Sequence, residues 1–367
     1  MENRNTLFDW LSAALVACET DIIEVPVLQP ADPFLDTAGE DLRRRIFMTE
    51  NENGDSLCLR PEFTIPVCLE FLKNNESLPC RYGYIGEVYR QRREGHSAFY
   101  QAGIEDIGCD NLALSDARSL FDALTLLDEI KAPFMREILL GDQTVFAAVL
   151  SALGLPKGWQ LRLLRSFGDD KHLRSYLKHF STPMAQKPLP LHIQKFVEAG
   201  DENGLISVLE DEMHIANISP AAGRTPKEIA SRLIEKYELA RVTFEPKTLL
   251  ALEVFLALEV PLNKAEKTLN EFANEHGLNL DEVLNQFCAR NKALQDLGVD
   301  LLSIRYDAAF GRPLDYYTGL VYEIRDGSDV IVGGGRYDRL LTMLGSDTAI
   351  PAVGFSIWLD RIKGGNK

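Results

Sequence analysis

The chain has 367 residues, with 39 Lys and Arg against 55 Asp and Glu and a formal net charge of −16. That length accommodates about two domains of roughly 150 residues and a sizeable core, and 46% hydrophobic with 26% charged residues excludes a largely disordered chain. The acidic balance excludes a global, sequence-independent grip on nucleic-acid phosphates and leaves room only for a local basic groove. The opening residues, MENRNTLFDW, lack a basic stretch leading into an apolar one, so no secretory signal is read. The richest apolar run, Leu249 to Val260, carries Glu253 and Glu259, which predicts a buried helix rather than a membrane span. Cysteines 18, 58, 68, 80, 109 and 288 form no CxxC pair; reduced thiols in a cytoplasmic protein are expected. The histidines show no ligand spacing, so neither metal nor cofactor is expected.

Three zones follow one another. In the first, residues 1–155, Leu7 to Cys18 reads as a helix, and the proline-punctuated Val25 to Pro30 cannot be helical inside. Ile46 to Arg60 reads as a hairpin turning at Asn53-Gly54. Thr64 to Phe71 reads as a helix with Thr64 as its cap. Tyr84 to Arg90 and Phe99 to Gly108 read as strands around a polar loop. The middle zone, residues 156–299, is rich in Leu, Ala, Glu and Lys at helical spacing, broken at Ser181-Thr-Pro and Pro188-Leu-Pro. It predicts a mostly helical insertion. The last zone, 300–367, returns to strands at Ser303 to Ala308, Asp315 to Ile324 and Val330 to Val332. A helix-like Arg336 to Leu344 and an apolar Val353 to Ile362 follow. Strands, helices, then strands imply an α+β fold: an antiparallel sheet in a discontinuous core, interrupted by a helical insertion.

Several segments carry chemistry. Glu62 and Thr64 stand where a strand hands over to a helix, fitted either to receive an ammonium group or to satisfy helix-start amides. Gln101, Gly103 and Glu105 share one strand face, which reads as a polar pocket or as an exposed face. Arg90, Arg92 and Arg93 cluster as an anion site or as a solvated loop tip. Arg312 precedes the paired Tyr316 and Tyr317; a guanidinium suits carboxylate or phosphate recognition, and packing on the core is the other reading. Gly333-Gly334-Gly335 lacks the spacing of a phosphate-binding loop and reads as a tight strand-to-helix passage.

In this order the segments resemble the catalytic core of class II aminoacyl-tRNA synthetases, and of histidyl-tRNA synthetases in particular. Pro26 matches the proline of the first motif. LRPEFT, GEVYR, AFYQAGIEDIG, GRPLDYYTGLVYE, GGGRYD and AVGFSIWLDRI match successive later elements. The resemblance implies that Glu62 and Thr64 hold a ligand α-ammonium, that Arg90 and Gln101 take its carboxylate side with Arg312 alongside, and that Glu105 and Tyr317, next to Tyr316, reach an imidazole. The departures imply a lost adenylation half. Arg92 replaces the glutamate that meets adenine, and Trp358 replaces a small glycine of the third motif ahead of Arg361. An indole burying about 200 Å² would fill the floor on which a base lies. The chain ends six residues after Arg361, so no anticodon-binding domain is expected.

This combination is similar to a paralogous family, the regulatory subunits of ATP phosphoribosyltransferase in histidine biosynthesis. That resemblance implies a non-catalytic partner of a short catalytic subunit, a homodimer within a hetero-oligomer, and L-histidine as feedback ligand, with no nucleic acid or membrane partner. The alternative is a histidine-activating enzyme loading tRNA or another carrier; an RNA-binding regulator is a third reading that the acidic composition opposes.

Overall fold

The computed structural model describes residues 2–37, 39–74, 77–93, 95–130, 136–181, 189–216, 225–241, 244–312, 314 and 316–362. The breaks expected at Thr182-Pro183 and Pro188, and Pro313 and Asp315 of the tyrosine segment, lie outside them.

The elements in chain order are α1 (Glu2–Ala17), β1 (Asp21–Ile22), β2 (Leu28–Pro30), α2 (Asp32–Thr37), α3 (Glu40–Arg43), β3 (Met48–Glu50), β4 (Ser56–Leu59), α4 (Thr64–Asn74), β5 (Cys80–Tyr89), β6 (Ala98–Ile107), α5 (Leu112–Glu129), β7 (Arg136–Asp142) and α6 (Gln143–Ala152). There follow α7 (Lys157–Arg165), α8 (Asp170–Ser181), α9 (Leu191–Ala199), α10 (Glu202–Ile215), α11 (Pro226–Arg241), α12 (Pro246–Leu256), β8 (Glu259–Pro261), α13 (Leu262–His276) and α14 (Asp281–Asp296). The chain closes with β9 (Ile304–Asp307), β10 (Leu320–Asp326), β11 (Asp329–Arg336), α15 (Leu340–Met343), β12 (Ala352–Trp358) and a 3₁₀ turn over Leu359–Arg361.

Nine strands form one sheet in the order β1-β5-β6-β12-β11-β10-β7-β9-β8. The run from β5 to β7 is antiparallel throughout; among the described residues only β1–β5 and β7–β9 pair in parallel. Strands β2, β4 and β3 make a small second sheet. Alternation along β6 divides the two sides of the large sheet. Asp106 faces Arg81 (3.0 Å), and Arg81 also bonds Asp122 on α5. Gln101, Gly103 and Glu105 face the other way. Helices α1 and α5 therefore cover one face, with α14 packed on α5, and the opposite face is left for a cavity.

The proline segment is held in extended form by Arg60, whose guanidinium meets the carbonyls of Val25 and Glu87 and lies 4.1 Å over the ring of Phe63. The hairpin turns at Asn53-Gly54 as expected, with Gly54 at φ +82°, a conformation glycine adopts without steric cost. Helix α5 begins at Asn111, whose side chain accepts from the Leu114 amide at 3.2 Å. Asn111→Ala is expected to cost about 1 kcal/mol of stability, read as a lowered denaturant midpoint without loss of helix content.

The chain divides into two compact units, Met1–Ala152 with Phe167–Asp169 and Val254–Lys367, and Leu153–Ser166 with Asp170–Glu253. The second is helical, as the texture of the middle zone implied. Its centre is Ile193 and Val197 of α9, Leu205 and Leu209 of α10, and Ala230 of α11. Its limits differ from 156–299. Residues 254–299 pack in the first unit because β8 pairs with β9 and because Arg290 of α14 forms a buried ion pair with Asp142 at 2.6 Å.

Four local expectations are corrected. Glycines 333–335 lie inside β11 rather than in a turn, and α15 is confined to Leu340–Met343 because Arg336 still belongs to the strand. Strand β10 starts at Leu320, not Asp315, since the Thr318 amide is tied to the Arg336 carbonyl (2.8 Å) while Tyr316 and Tyr317 turn inward. The cap of α4 is the Glu62 carboxylate, which accepts the amides of Thr64 (2.7 Å) and Ile65 (2.9 Å). Among the described residues no helix is long and apolar enough to cross a membrane.

Candidate functional site

The free face of the large sheet opens into a cavity of about 170 Å³, more than ten times the roughly 10–15 Å³ that one water needs. Of the residues singled out in the sequence, Glu62, Thr64, Arg90, Gln101, Arg312, Tyr316, Tyr317 and Trp358 line it, together with Leu42, Arg45, Tyr337, Gly333, Gly354 and Ser356. The sheet supplies the floor through β6, β11 and β12. The start of α4 supplies one wall, and the segment ahead of β10 supplies another.

Gln101 and Trp358 are register partners on β6 and β12. Gln101 is fully buried, and neither amide atom of its side chain has a hydrogen-bond partner among the described residues. The Trp358 Nε1–H is likewise unpartnered. A buried amide left unpaired costs about 1–3 kcal/mol, and this one lines the cavity with its donors and acceptor uncommitted to protein. Trp358 lies under two guanidinium groups, Arg361 at 4.8 Å and Arg312 at 5.6 Å from its rings, within the range of a cation–π attraction.

Arg312 approaches Glu323 to 3.3 Å but is not aligned to bond it; its Nε and Nη1 lack hydrogen-bond partners. Arg325 holds the same carboxylate at 2.8 and 3.0 Å. Gly333 is paired directly across from Glu323, and a Cβ built on Gly333 would sit 1.6 Å from Arg312 Nη1. The guanidinium therefore lies flat on bare backbone. Gly354 plays the same part beneath Glu105, where an added Cβ would fall 1.7 Å from Oε2.

Glu105 is fully buried and stands one layer behind the cavity wall rather than in it. Thr64 Oγ1 donates to its Oε1 at 2.7 Å, the Tyr84 hydroxyl lies 3.4 Å away, and Tyr337 donates to Oε2. Burial raises its pKa to about 8 against these three hydroxyls, which pull the other way. Burial also raises Glu62, opposed by the Ile65 amide and the Arg90 charge, and it lowers Arg90 to about 10. It lifts Tyr317 to about 12 and Tyr84, Tyr316 and Tyr337 well above the ordinary tyrosine value. The phenols thus remain protonated donors. Arg90 donates to the Pro61 carbonyl at 2.6 Å and lines the cavity.

Arg92 and Arg361 do not line the cavity. Arg92 pairs with Asp360 at 2.7 Å and covers the Phe99 ring at 3.6 Å, and Arg361 donates to the Val330 carbonyl at 2.7 Å. Both are engaged by the protein itself. Tyr337, Tyr84, Ser356, Leu42 and Arg45 are the site residues that sequence reasoning passed over. Tyr337 had a signal: Gly333, Gly335 and Tyr337 alternate on one face once the glycines are read as strand. Among the described residues no group of three or more His, Cys, Asp or Glu could hold a metal ion.

The wall thus combines a carboxylate at a helix start, the guanidinium groups of Arg45, Arg90 and Arg312, an unpaired neutral amide and aromatic rings. It suits a small molecule carrying both charges and a polar ring. The histidyl-tRNA synthetase family model matches residues 21–211 and 234–362. The chain is 56% identical over 361 residues to ATP phosphoribosyltransferase regulatory subunits of Brucella ovis and Brucella melitensis biotype 1, covering 97% of this chain and 96% of each relative. Its fold is shared with a solved ATP phosphoribosyltransferase regulatory subunit/histidyl-tRNA synthetase from Bacillus halodurans (TM-score 0.70, 18% identity, 98% of this chain and 78% of that one). A histidyl-tRNA synthetase from Nostoc sp. PCC 7120 also matches (TM-score 0.62, 17% identity, 97% and 69%). The antiparallel core is therefore that of the class II synthetases, and the chain belongs, within the histidyl-tRNA synthetase-like proteins, to the family of ATP phosphoribosyltransferase regulatory subunits.

Proposed function

We propose that this chain is the non-catalytic subunit of a cytoplasmic ATP phosphoribosyltransferase, assembling as a homodimer with a short catalytic subunit and binding L-histidine in the cavity as feedback ligand. The observation that carries the reading is the unpaired Gln101 amide and the Arg312 guanidinium, whose Nε and Nη1 lack hydrogen-bond partners, beside an indole at the end of β12. Glu62 and Thr64 would receive the α-ammonium, with Arg90, Gln101 and Arg312 on the carboxylate side. Tyr316 and Tyr317 would meet the imidazole, with Glu105 acting on it through Thr64 and Tyr337. Selectivity for histidine then follows because an analogue without ring N–H groups leaves buried polar atoms unpaired. Feedback requires that histidine favour one arrangement of the complex, typically by about 1–3 kcal/mol.

Trp358, Arg92 and Arg361 would mark a degenerate nucleotide site, in which a base meets the indole and one cation is already committed to Asp360. The test is reconstitution. Turnover by a short catalytic subunit is expected only with this chain present, and L-histidine is expected to inhibit it and to bind this chain alone by calorimetry. Turnover that ignores this chain, or histidine-dependent ATP–pyrophosphate exchange by it, would overturn the reading in favour of a histidine-activating enzyme.

A further inference from the structure

The helical unit carries a second concavity, of about 450 Å³, lined by Arg162 and Arg165 of α7 and by Arg232 and Lys236 of α11, with the aliphatic side chains of Leu161 and Leu233 between them. No carboxylate stands among its described lining residues. Arg165, Arg232 and Lys236 have no acidic partner among the described residues; Arg162 lies 5.3 Å over the Trp159 ring. Four cations converging on one groove are conspicuous in a chain with net charge −16.

The spacing sets like charges beside one another, which an anion would offset. Arg162 and Arg165 are three apart on α7, and Arg232 and Lys236 are four apart on α11. Like charges at these separations repel along a helix, and α7 and α11 pack together, so the two pairs face one groove. The last turn of α7 gives its two arginines a favourable helix-end field. Arg232 and Lys236 stand in the interior of α11, where that field offers nothing, so their placement has no such explanation. A concave surface lined by one sign of charge focuses the field and concentrates counter-ions.

We propose that this groove is an anion-binding site for a small molecule bearing linked phosphates, a di- or triphosphate. The volume lies within the range of about 300–1,000 Å³ usual for small-molecule sites. The guanidinium groups offer paired N–H donors to phosphate oxygens, while the lysine adds a point charge. The aliphatic wall gives an organic substituent, such as a nucleoside, an apolar surface to lie on. The groove shares no lining residue with the cavity beside β6, and the proposal does not depend on what that cavity binds.

Calorimetry on the full chain with inorganic tripolyphosphate and with ATP tests the proposal. Saturable binding of tripolyphosphate at one site per chain is expected, weakened by added salt and by roughly tenfold or more in Arg232→Ala/Lys236→Ala. These two side chains are exposed, so the variant should melt at the wild-type temperature; Arg165→Ala is the second variant and is expected to weaken binding likewise. ATP binding at least as tightly through the same residues would place its nucleoside on the aliphatic wall and supports the site. No saturable binding of either probe, affinity unchanged in both variants, or a response only to single-stranded RNA overturns it.

Discussion

Glu105→Gln is expected to flatten the dependence of stability on pH between about 5 and 8. The wild-type carboxyl is fully buried, and its pKa rises to about 8 from the ordinary 4.5. The folded protein therefore keeps a proton that the unfolded chain releases above pH 4.5. Because the native state binds more protons throughout that window, stability falls as pH rises, and the loss levels off once the folded group has also ionised near pH 8. A displacement of that size corresponds to something on the order of 5 kcal/mol across the window. Glutamine is a neutral isostere that still accepts from Thr64, and the Tyr337 hydroxyl can turn to accept from its amide. The variant is expected to melt at or below the wild-type temperature at pH 5 and clearly above it at pH 8. Burial also raises the Glu62 pKa, and the Glu62 charge is itself among the influences that raise Glu105, so the difference between the two proteins reports Glu105 together with its coupling to Glu62. Parallel melting curves at the two pH values would show that residue 105 carries no retained proton. Glu105→Ala, which removes both contacts, is expected instead to lose histidine inhibition with the complex still assembled, since the carboxyl buttresses Thr64 and Tyr337 in the cavity wall.

How much of this was legible in the sequence depended on whether local chemistry or distant pairing set the outcome. The Asn53-Gly54 hairpin and the two long strands β5 and β6 could be read because turn propensity and alternation are properties of neighbouring residues. The three-residue strand β8 could not: Glu259 to Pro261 is extended only because β9 lies beside it. Glycines 333–335 read as a turn because a glycine run signals flexibility when nothing else is known. In the fold they are strand positions stripped of side chains, so that Arg312, Tyr322 and Tyr317 can lie against the sheet. The cavity was legible where a polar residue interrupted an apolar pattern, as at Gln101. It was not where Arg45 and Leu42 arrive from the segment around α3, a tertiary contact with no local mark. Glu62 carried two open readings, and the structure makes it both a helix cap and a cavity residue. A carboxylate has enough lone pairs for two amides and a further donor.

The close approach at β11 also separates ligand recognition from folding. In Gly333→Ala, the new methyl group would occupy the place of Arg312 Nη1, which lies 1.6 Å from the built Cβ. That nitrogen is the far end of a flexible side chain, so the guanidinium can swing away while the strand register with Glu323 and Ser356 stays as it is. Contrast Gly354→Ala, where the added carbon meets both the Glu105 carboxyl and the Ile104 carbonyl at 2.7 Å, a backbone atom that cannot yield. Gly333→Ala is therefore expected to melt within a few degrees of the wild-type protein. It should lose histidine affinity by roughly 10- to 100-fold, since a hydrogen bond to a charged group is worth about 1.5–3 kcal/mol. Arg312→Ala should lose a similar factor, and the double substitution little more than either alone, because both remove one contact. Additive losses would mean that Gly333 acts on the cavity by another route, and an unchanged affinity in Arg312→Ala would remove the guanidinium from the carboxylate side of the ligand.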